Sequence, residues 1–200
     1  MCYDGSTIPR AKARANVSMV ENKLIKLHQF DEKDFTKLIS TVPDARFLLQ
    51  WAGPKYIYPL DVAQLNDTLA KTTGEQPSFK VFKATGSDDS EAIGHIQLMN
   101  IGYSNSTCIL GRVLIFPEHR GKGSGKEMVR RVVEYAFTNL GLHEITLDVF
   151  DFNASAISTY KSVGFVEYEF NKGARQFQDE CWNIIKMKLN KDQWLFKVKC

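Results

Sequence analysis

Hydrophobic positions in the C-terminal half of the chain change period between strand and helix. The apolar run 113–116 predicts the end of a buried strand, which Pro117 closes because proline removes a backbone donor from the ladder. An amphipathic helix is predicted over 126–140 from a stripe at three- and four-residue spacing, consisting of Met128, Val129, Val132, Val133, Ala136, Phe137 and Leu140. Gly141 stands in the position of its C-terminal cap.

The remaining pattern predicts an α/β sheet in one domain. An apolar strand at 144–150 follows the long helix, so a right-handed crossover should place it parallel to the preceding strand. Other strands are predicted at 23–30, 79–85, 92–100, 107–116, 165–170 and 181–189, with a loop over 171–180. Further helices are predicted to begin at Asp31 and to span 44–51, 60–71 and 153–164. Residues 1–18 show neither period, and we expect a disordered leader before a single domain over 19–200.

A glycine turn joins the first of these strands to the long helix, and its composition predicts an anion site. The turn reads Arg120-Gly121-Lys122-Gly123-Ser124-Gly125. Glycine can take a positive φ and lets the backbone approach a ligand with no Cβ in the way. The unpaired N–H groups and the positive dipole end of the following helix point at the same place, so phosphate is the expected anion.

Two known nucleotide-binding motifs were compared with this turn, and neither accounts for all of its residues. A Walker loop would need glycine at Arg120 and a hydroxyl at Glu127, so the chain excludes it. A dinucleotide fingerprint would place the glycines directly at the strand end, but 117–120 intervene, and Asp148 lies inside its strand instead of at its tip. Dinucleotide binding therefore stays only as an alternative.

Two segments carry a resemblance to a known family. The run VLIFPEHRGKGSG at 113–125 resembles the acetyl-CoA motif of the GNAT superfamily of N-acetyltransferases, Arg/Gln-x-x-Gly-x-Gly/Ala after a strand that ends in proline. The run NASAISTYKSVGF at 153–165 is similar to the same superfamily's Asn-x-x-Ala-x-x-x-Tyr-x-x-x-Gly-Phe signature. Ser124 departs from the pattern, which usually has an aliphatic residue there. The resemblance implies a mixed, mostly antiparallel sheet with helices on both faces and a central pair of parallel strands that splay into a V-shaped opening for pantetheine.

The resemblance also implies acetyl-CoA as co-substrate and a set of residues that contact it. Strand-end backbone groups would bond the acyl carbonyl and the pantetheine, and the turn would hold the pyrophosphate. The expected contacts are Val113, Leu114, Ile115, Arg120, Gly121, Lys122, Gly123, Ser124, Gly125, Lys126 and Asn153. Asn153 is a good N-cap, and the seven residues to Tyr160 place both side chains on nearly one helix face, about 10 Å apart.

These residues predict an N-acetyltransferase that moves an acetyl group from acetyl-CoA to a primary amine of a small molecule or peptide, by direct attack in a ternary complex. Tyr160 resembles the family's general acid, which protonates the departing thiolate. The expected walls of the acceptor site are Trp51, Tyr56 and Tyr58. The general base stays open among Asp148, Glu118 and Glu91. The alternative is a non-catalytic sensor or scaffold that binds acyl-CoA, but binding alone would not require the tyrosine.

Composition and charge then limit the partners, the cellular compartment and the metals to be expected. The formal net charge is +3, of which residues 1–18 supply +2, so no nucleic-acid surface is indicated. No apolar run is long enough for a membrane span. The four cysteines show no disulfide spacing, which favours a reducing cytoplasm, and the four histidines lack the spacing of a metal site, so no metal is expected. The sequence leaves open whether two chains form a homodimer.

Overall fold

A computed structural model describes residues 25–199 except 88 and 90, so the expected leader over 1–18 lies outside the described residues. Within this part the chain forms seven strands: β1 (Lys26–Gln29), β2 (Lys80–Thr85), β3 (Ala92–Gly102), β4 (Thr107–Ile115), β5 (Glu144–Phe150), β6 (Val166–Phe177) and β7 (Glu180–Asn190). They make one sheet in the order β1-β2-β3-β4-β5-β7-β6.

Helices lie on both faces of this sheet. They are α1 (Phe35–Ser40), α2 (Ala45–Ala52), α3 (Val62–Leu69), α4 (Ser124–Thr138), α5 (Ala154–Val163) and α6 (Lys191–Lys199). The Asp44 carboxylate accepts the backbone N–H of Phe47, and Asp61 accepts that of Gln64, so α2 and α3 each begin at an aspartate cap. Among the described residues, no helix is both long enough and apolar enough to cross a membrane.

The centre of the sheet is a parallel pair that separates early. β4 pairs with β5 through Thr107 with Glu144, Cys108 with Ile145 and Ile109 with Thr146. Beyond Ile109 the two strands are no longer hydrogen-bonded to each other, whereas the other neighbouring strands pair in antiparallel fashion. The predicted fold class, a mostly antiparallel mixed sheet with a splayed parallel pair, is confirmed.

A β-bulge bends β4 at the point where it leaves β5. Gln97 of β3 lies opposite Gly111, while His95 lies opposite Leu114, so two residues of β4, Arg112 and Val113, face one residue of β3. Arg112 has φ 51°, a left-handed conformation that is uncommon for a residue with a side chain. Bulges of this kind increase the local bend of a strand and redirect its side chains.

Two hydrophobic clusters cover the two faces of the sheet. One packs α4 onto the sheet through the predicted stripe, and its fully buried members on that helix are Met128, Val129, Val132, Val133, Ala136 and Phe137. Removing each large side chain from water stabilises the fold by about 1.5–3 kcal/mol. The other cluster gathers Phe35 and Leu38 of α1, Leu48 of α2 and Leu65 of α3 against Leu114 of β4. The bulged segment of β4 is therefore held from both sides.

The prediction of a loop over 171–180 is wrong. β6 runs on to Phe177 and β7 begins at Glu180, so a tight turn replaces the loop. Asn171, Arg175, Gln176 and Phe177 still pair with β7, because an edge strand exposed to solvent needs no strict apolar alternation to keep its ladder. Gly173, which has φ 60°, lies within a register shift between Asn171 and Arg175.

The C-terminal helix α6 was not expected from the sequence. It carries only a short apolar segment, and its principal anchor is Trp194, which is 6% exposed. The Trp194 ring packs 5.6 Å from the ring of Phe137 at the end of α4, so a contact between distant parts of the chain positions this helix.

Candidate functional site

The separation of β4 from β5 opens a cleft through the sheet, with one lobe on each side. The first, which we call the loop lobe, has a volume of about 610 Å³ and is lined by the glycine turn, β4 and α5. The second, the helix lobe, has a volume of about 710 Å³ and is lined by α2, α3 and the opposite side of the gap. Seven residues line both lobes: Gln50, Trp51, Leu110, Gly111, Arg112, Asp148 and Val149. A group held in one lobe can therefore meet a group held in the other.

The glycine turn has the geometry of an anion cradle. Gly121 has φ 73° and Gly123 has φ 75°, and a Cβ built on either would meet no protein atom within 4 Å. A side chain there would instead project from the turn into open space, which is where a ligand must approach. Gly123 is the N-cap of α4, so the first N–H groups of the helix, from Ser124 to Lys126, point out of the turn.

Ser124 fits this position although it departs from the family pattern. The residue is 6% exposed and lies in the first turn of α4, beneath the sheet. Gly125 lies beside it, and the nearest atom to a Cβ built there would be in Ile115, 3.6 Å away. Small side chains at the helix start therefore let α4 lie close to the end of β4.

Two basic side chains of the turn bond to the turn itself. The Arg120 Nε donates to the carbonyl of Ile115 at 2.9 Å, and the Lys122 Nζ donates to the carbonyl of Glu118 at 3.0 Å. Arg120 lines the loop lobe together with Lys126, but Lys122 does not. The other ten residues that the resemblance assigns to the cofactor all line this lobe.

Helix α5 places Asn153 and Tyr160 on the opposite wall of the loop lobe. The Asn153 Oδ1 accepts the backbone N–H of Ala156 at 3.3 Å, as expected for an N-cap. Tyr160 is 8% exposed, and its ring makes an edge contact with Phe165 at 5.9 Å. Burial raises the pKa of the Tyr160 phenol, so the hydroxyl keeps its proton at neutral pH.

The three expected aromatic walls have different positions. Trp51 lines both lobes, and Tyr56 lines the helix lobe. Tyr58 lines neither lobe, and its hydroxyl donates to the carbonyl of Pro43 at 3.0 Å.

A buried polar chain that sequence reasoning missed runs from the wall of the cleft into the protein interior. Arg112 Nη1 donates to the Tyr56 hydroxyl and to Gln97 Oε1, each at 2.9 Å, and Gln97 Nε2 lies 2.9 Å from His95 Nε2. Burial and the nearby Arg112 charge lower the pKa of His95 to about 3, so this imidazole is neutral. The signal in the sequence was the strict alternation of β4, which puts Arg112 on the same buried face as Leu110 and Leu114.

The three acids considered as a general base are separated by the structure. Asp148 of β5 is exposed to the cleft and lines both lobes. Glu118 and Glu91 line neither lobe; Lys37 forms ion pairs with both. Glu118, Glu91 and His119 bring three metal-ligating atoms within 4.8 Å of one another, but the Lys37 ammonium already supplies a cation to the two carboxylates. We assign no metal to this cluster.

The sheet thus opens beside the positively polarised start of α4, with Tyr160 and Asp148 among the residues that line the gap. The sequence model of the acetyltransferase (GNAT) family matches residues 45–165. The chain belongs to this family, and the resemblance read from 113–125 and 153–165 is confirmed.

Relatives support the same assignment, and a solved structure supports the fold. The chain is 39% identical over 75 residues to spermidine N(1)-acetyltransferase of Vibrio cholerae, an alignment that covers 38% of this chain and 43% of that protein. It is 28% identical over 115 residues to mouse thialysine N-epsilon-acetyltransferase, covering 54% of this chain and 67% of that protein. The fold matches the crystal structure of the Vibrio cholerae spermidine N-acetyltransferase in complex with CoA and spermine, with a TM-score of 0.74 at 22% identity over 86% of this chain and 98% of that one.

Replacing Gly123 with valine tests the anion cradle. The new side chain would project from the turn into the ligand's path, and acetyl-CoA should then raise the melting temperature far less than it does in the wild type. A Gly141→Val protein is the matched control, because Gly141 also has a positive φ, of 66°, and open space around its Cβ, but follows the far end of α4. Equal shifts in the wild type and Gly123→Val would remove the turn from the phosphate site.

Proposed function

We propose that this chain is an acetyl-CoA-dependent N-acetyltransferase that moves the acetyl group to a primary amine by direct attack in a ternary complex. The observation that carries this is the continuity of the cleft, since the loop lobe and the helix lobe share the gap between β4 and β5. An amine in the helix lobe can reach a thioester in the loop lobe without a covalent enzyme intermediate. The rate enhancement then comes mainly from positioning.

Residues of the loop lobe fit acetyl-CoA as a substrate. The first N–H groups of α4 suit the pyrophosphate, and Lys126 adds a positive charge at the same lobe. β4 has no β5 partner beyond Ile109, so the backbone groups of 113–115 on that edge, apart from the Ile115 carbonyl that accepts from Arg120, are free to bond the pantetheine amides and the acyl carbonyl. These donors are fixed by the sheet before any ligand binds.

Tyr160 and Asp148 supply the two proton transfers that the reaction needs. The amine must lose a proton to become a nucleophile, and Asp148 is the one carboxylate among the described lining residues that borders both lobes. The departing thiolate must be protonated or stabilised, and the phenol of Tyr160 faces the loop lobe with its proton in place. A sensor that only binds acyl-CoA would need neither group, which is why catalysis is the better proposal.

We propose a primary amine as the acceptor because the names of the two relatives described above refer to amines of this kind, spermidine and thialysine.

A homodimer stays a prediction. The edge strand β6 offers exposed apolar surface for it at Val166, Tyr168 and Phe170. A reducing cytoplasm is also retained as a proposal, because Cys108 and Cys181 are both free thiols.

Replacing Tyr160 with phenylalanine separates acid catalysis from packing. The ring and its contact with Phe165 are kept but the proton donor is lost, so turnover should fall by roughly 10²- to 10⁴-fold with little change in acetyl-CoA affinity. Turnover and cofactor affinity are measured on the same protein. Tyr135→Phe is the matched control, since Tyr135 packs against Phe82 away from both lobes. Near-normal turnover in Tyr160→Phe would make Tyr160 a packing residue.

Replacing Asp148 with asparagine tests the base. The side chain keeps its size but cannot take a proton, and turnover near neutral pH should fall by roughly 10²-fold or more. The loss should shrink as the pH rises, because a larger fraction of the amine is then already unprotonated. Asp67→Asn, which removes a carboxylate from the helix lobe alone, is the control. A pH–rate profile of Asp148→Asn parallel to that of the wild type would assign the base elsewhere.

A further inference from the structure

The guanidinium of Arg112 is a buried charge in the wall of the proposed acceptor site. Arg112 lines both lobes of the cleft, yet the residue is 7% exposed. Its side chain is aimed there by the β-bulge, at the expense of a left-handed backbone with φ 51°. Strained backbone of this kind costs about 1–3 kcal/mol and persists where the surrounding structure fixes it, often at ligand sites.

The protein provides this charge with neutral partners only. Tyr56 and Gln97 accept from Nη1, and the Arg112 Cζ stands 3.9 Å from the centre of the Tyr56 ring. Within the described part of the chain, no carboxylate forms an ion pair with Arg112. Taking an arginine out of water without a counter-ion is strongly unfavourable, and a cation–π contact recovers only about 2 kcal/mol of it. The fold alone therefore does not account for the cation at this position.

One edge of the guanidinium is free of protein partners. Nη1 is held by Tyr56, Gln97 and, at 3.5 Å, Thr68. Nε is enclosed by the protein and has no hydrogen-bond partner among residues 25–199 as described, and Nη2 makes no hydrogen bond to them either. Nη2 is not enclosed in the same way, and a charged N–H group of this kind binds a carboxylate oxygen.

Positively charged residues outnumber negatively charged ones in the lining of the helix lobe. Lys55, Lys71 and Arg175 line it together with Arg112, against two acids, Asp67 and Asp148. A polyamine, which carries several positive charges, would be repelled by this surface. An amine that also carries a negative group would find both an acid for its amine and a cation for its other end.

From the free guanidinium edge and the excess of positive charge, we propose that the acceptor is an amine that also bears a carboxylate, such as an amino acid or a peptide with a free C-terminus. Nη2 of Arg112 binds the carboxylate, which leaves the amine beside Asp148. This assignment names the substrate class for the transfer proposed above and depends on that transfer.

The test compares acceptors that differ only at the acidic group. Each amino acid of a panel is assayed beside its own amide and its decarboxylated amine, with lysine, lysinamide and cadaverine as one set, and with spermidine added. Thiol release from acetyl-CoA gives kcat/KM for each compound. The wild type should favour the accepted acids over their amides by roughly 10- to 100-fold, the range expected when a charge-assisted hydrogen bond is lost.

Variants of Arg112 then test whether this residue is the source of the preference for acids over amides. Arg112→Gln should abolish the difference between acid and amide, and Arg112→Lys, which keeps the charge but loses the planar guanidinium, should reduce it chiefly through KM. Arg130→Gln removes one positive charge from the outer face of α4 and should leave the preference intact. The thermal shift with acetyl-CoA checks that each variant is folded, and the comparison of acid with amide in the wild type needs no variant.

The outcomes distinguish this proposal from the one on which it depends. Acetylation of amides, diamines or spermidine at least as fast as of the acids would overturn the carboxylate assignment and leave the acetyltransferase standing. Retention of the acid preference in Arg112→Gln would also overturn the role of Arg112. Binding of acetyl-CoA with no thiol release for any amine would overturn the transferase itself, and the acceptor assignment with it.

Discussion

The early separation of β4 from β5 is the constraint on which the rest of the site depends. Parallel strands in the middle of a sheet normally stay paired along their length, because their backbone groups need partners once buried. Here pairing stops after Ile109 and Thr146, and the exposed edges become the walls of a cleft. The antiparallel pairs on either side hold the two strands in place, so the gap is a fixed part of the sheet and needs no ligand to open it.

The bulge in β4 converts this gap into a site with directed chemistry. Because two residues of β4 face one residue of β3, the strand bends away from β5, and Arg112 turns into the gap instead of continuing the ladder regularly. The same bend brings the following strand end to the glycine turn and the start of α4. The strand edge proposed for the cofactor and the buried Arg112 cation therefore meet at one irregularity in one strand.

The parts of the site predicted from sequence depend on local backbone chemistry. Positive φ at Gly121 and Gly123 and the cap at Asn153 are properties of a few neighbouring residues, so the sequence could indicate them. Arg112 was missed because, although the alternation of β4 puts it on the buried face, its partners Tyr56 and Gln97 come from distant parts of the chain. Lys122 and Tyr58 were assigned to the site from the family resemblance, which fixes no side-chain direction, and each side chain donates instead to a nearby carbonyl, of Glu118 and Pro43 respectively. Helix α6 depends on the contact of Trp194 with Phe137 and was equally out of reach.

A crystal structure of the protein with coenzyme A tests the central claim most directly, namely that the cofactor enters the gap in the sheet. We expect the pyrophosphate on the first N–H groups of α4 and the pantetheine along 113–115. The sulfur should lie between β4 and β5, roughly 3–3.5 Å from the Tyr160 hydroxyl. A pantetheine arm that runs over the outer surface, with its sulfur far from both Tyr160 and Asp148, would contradict the account.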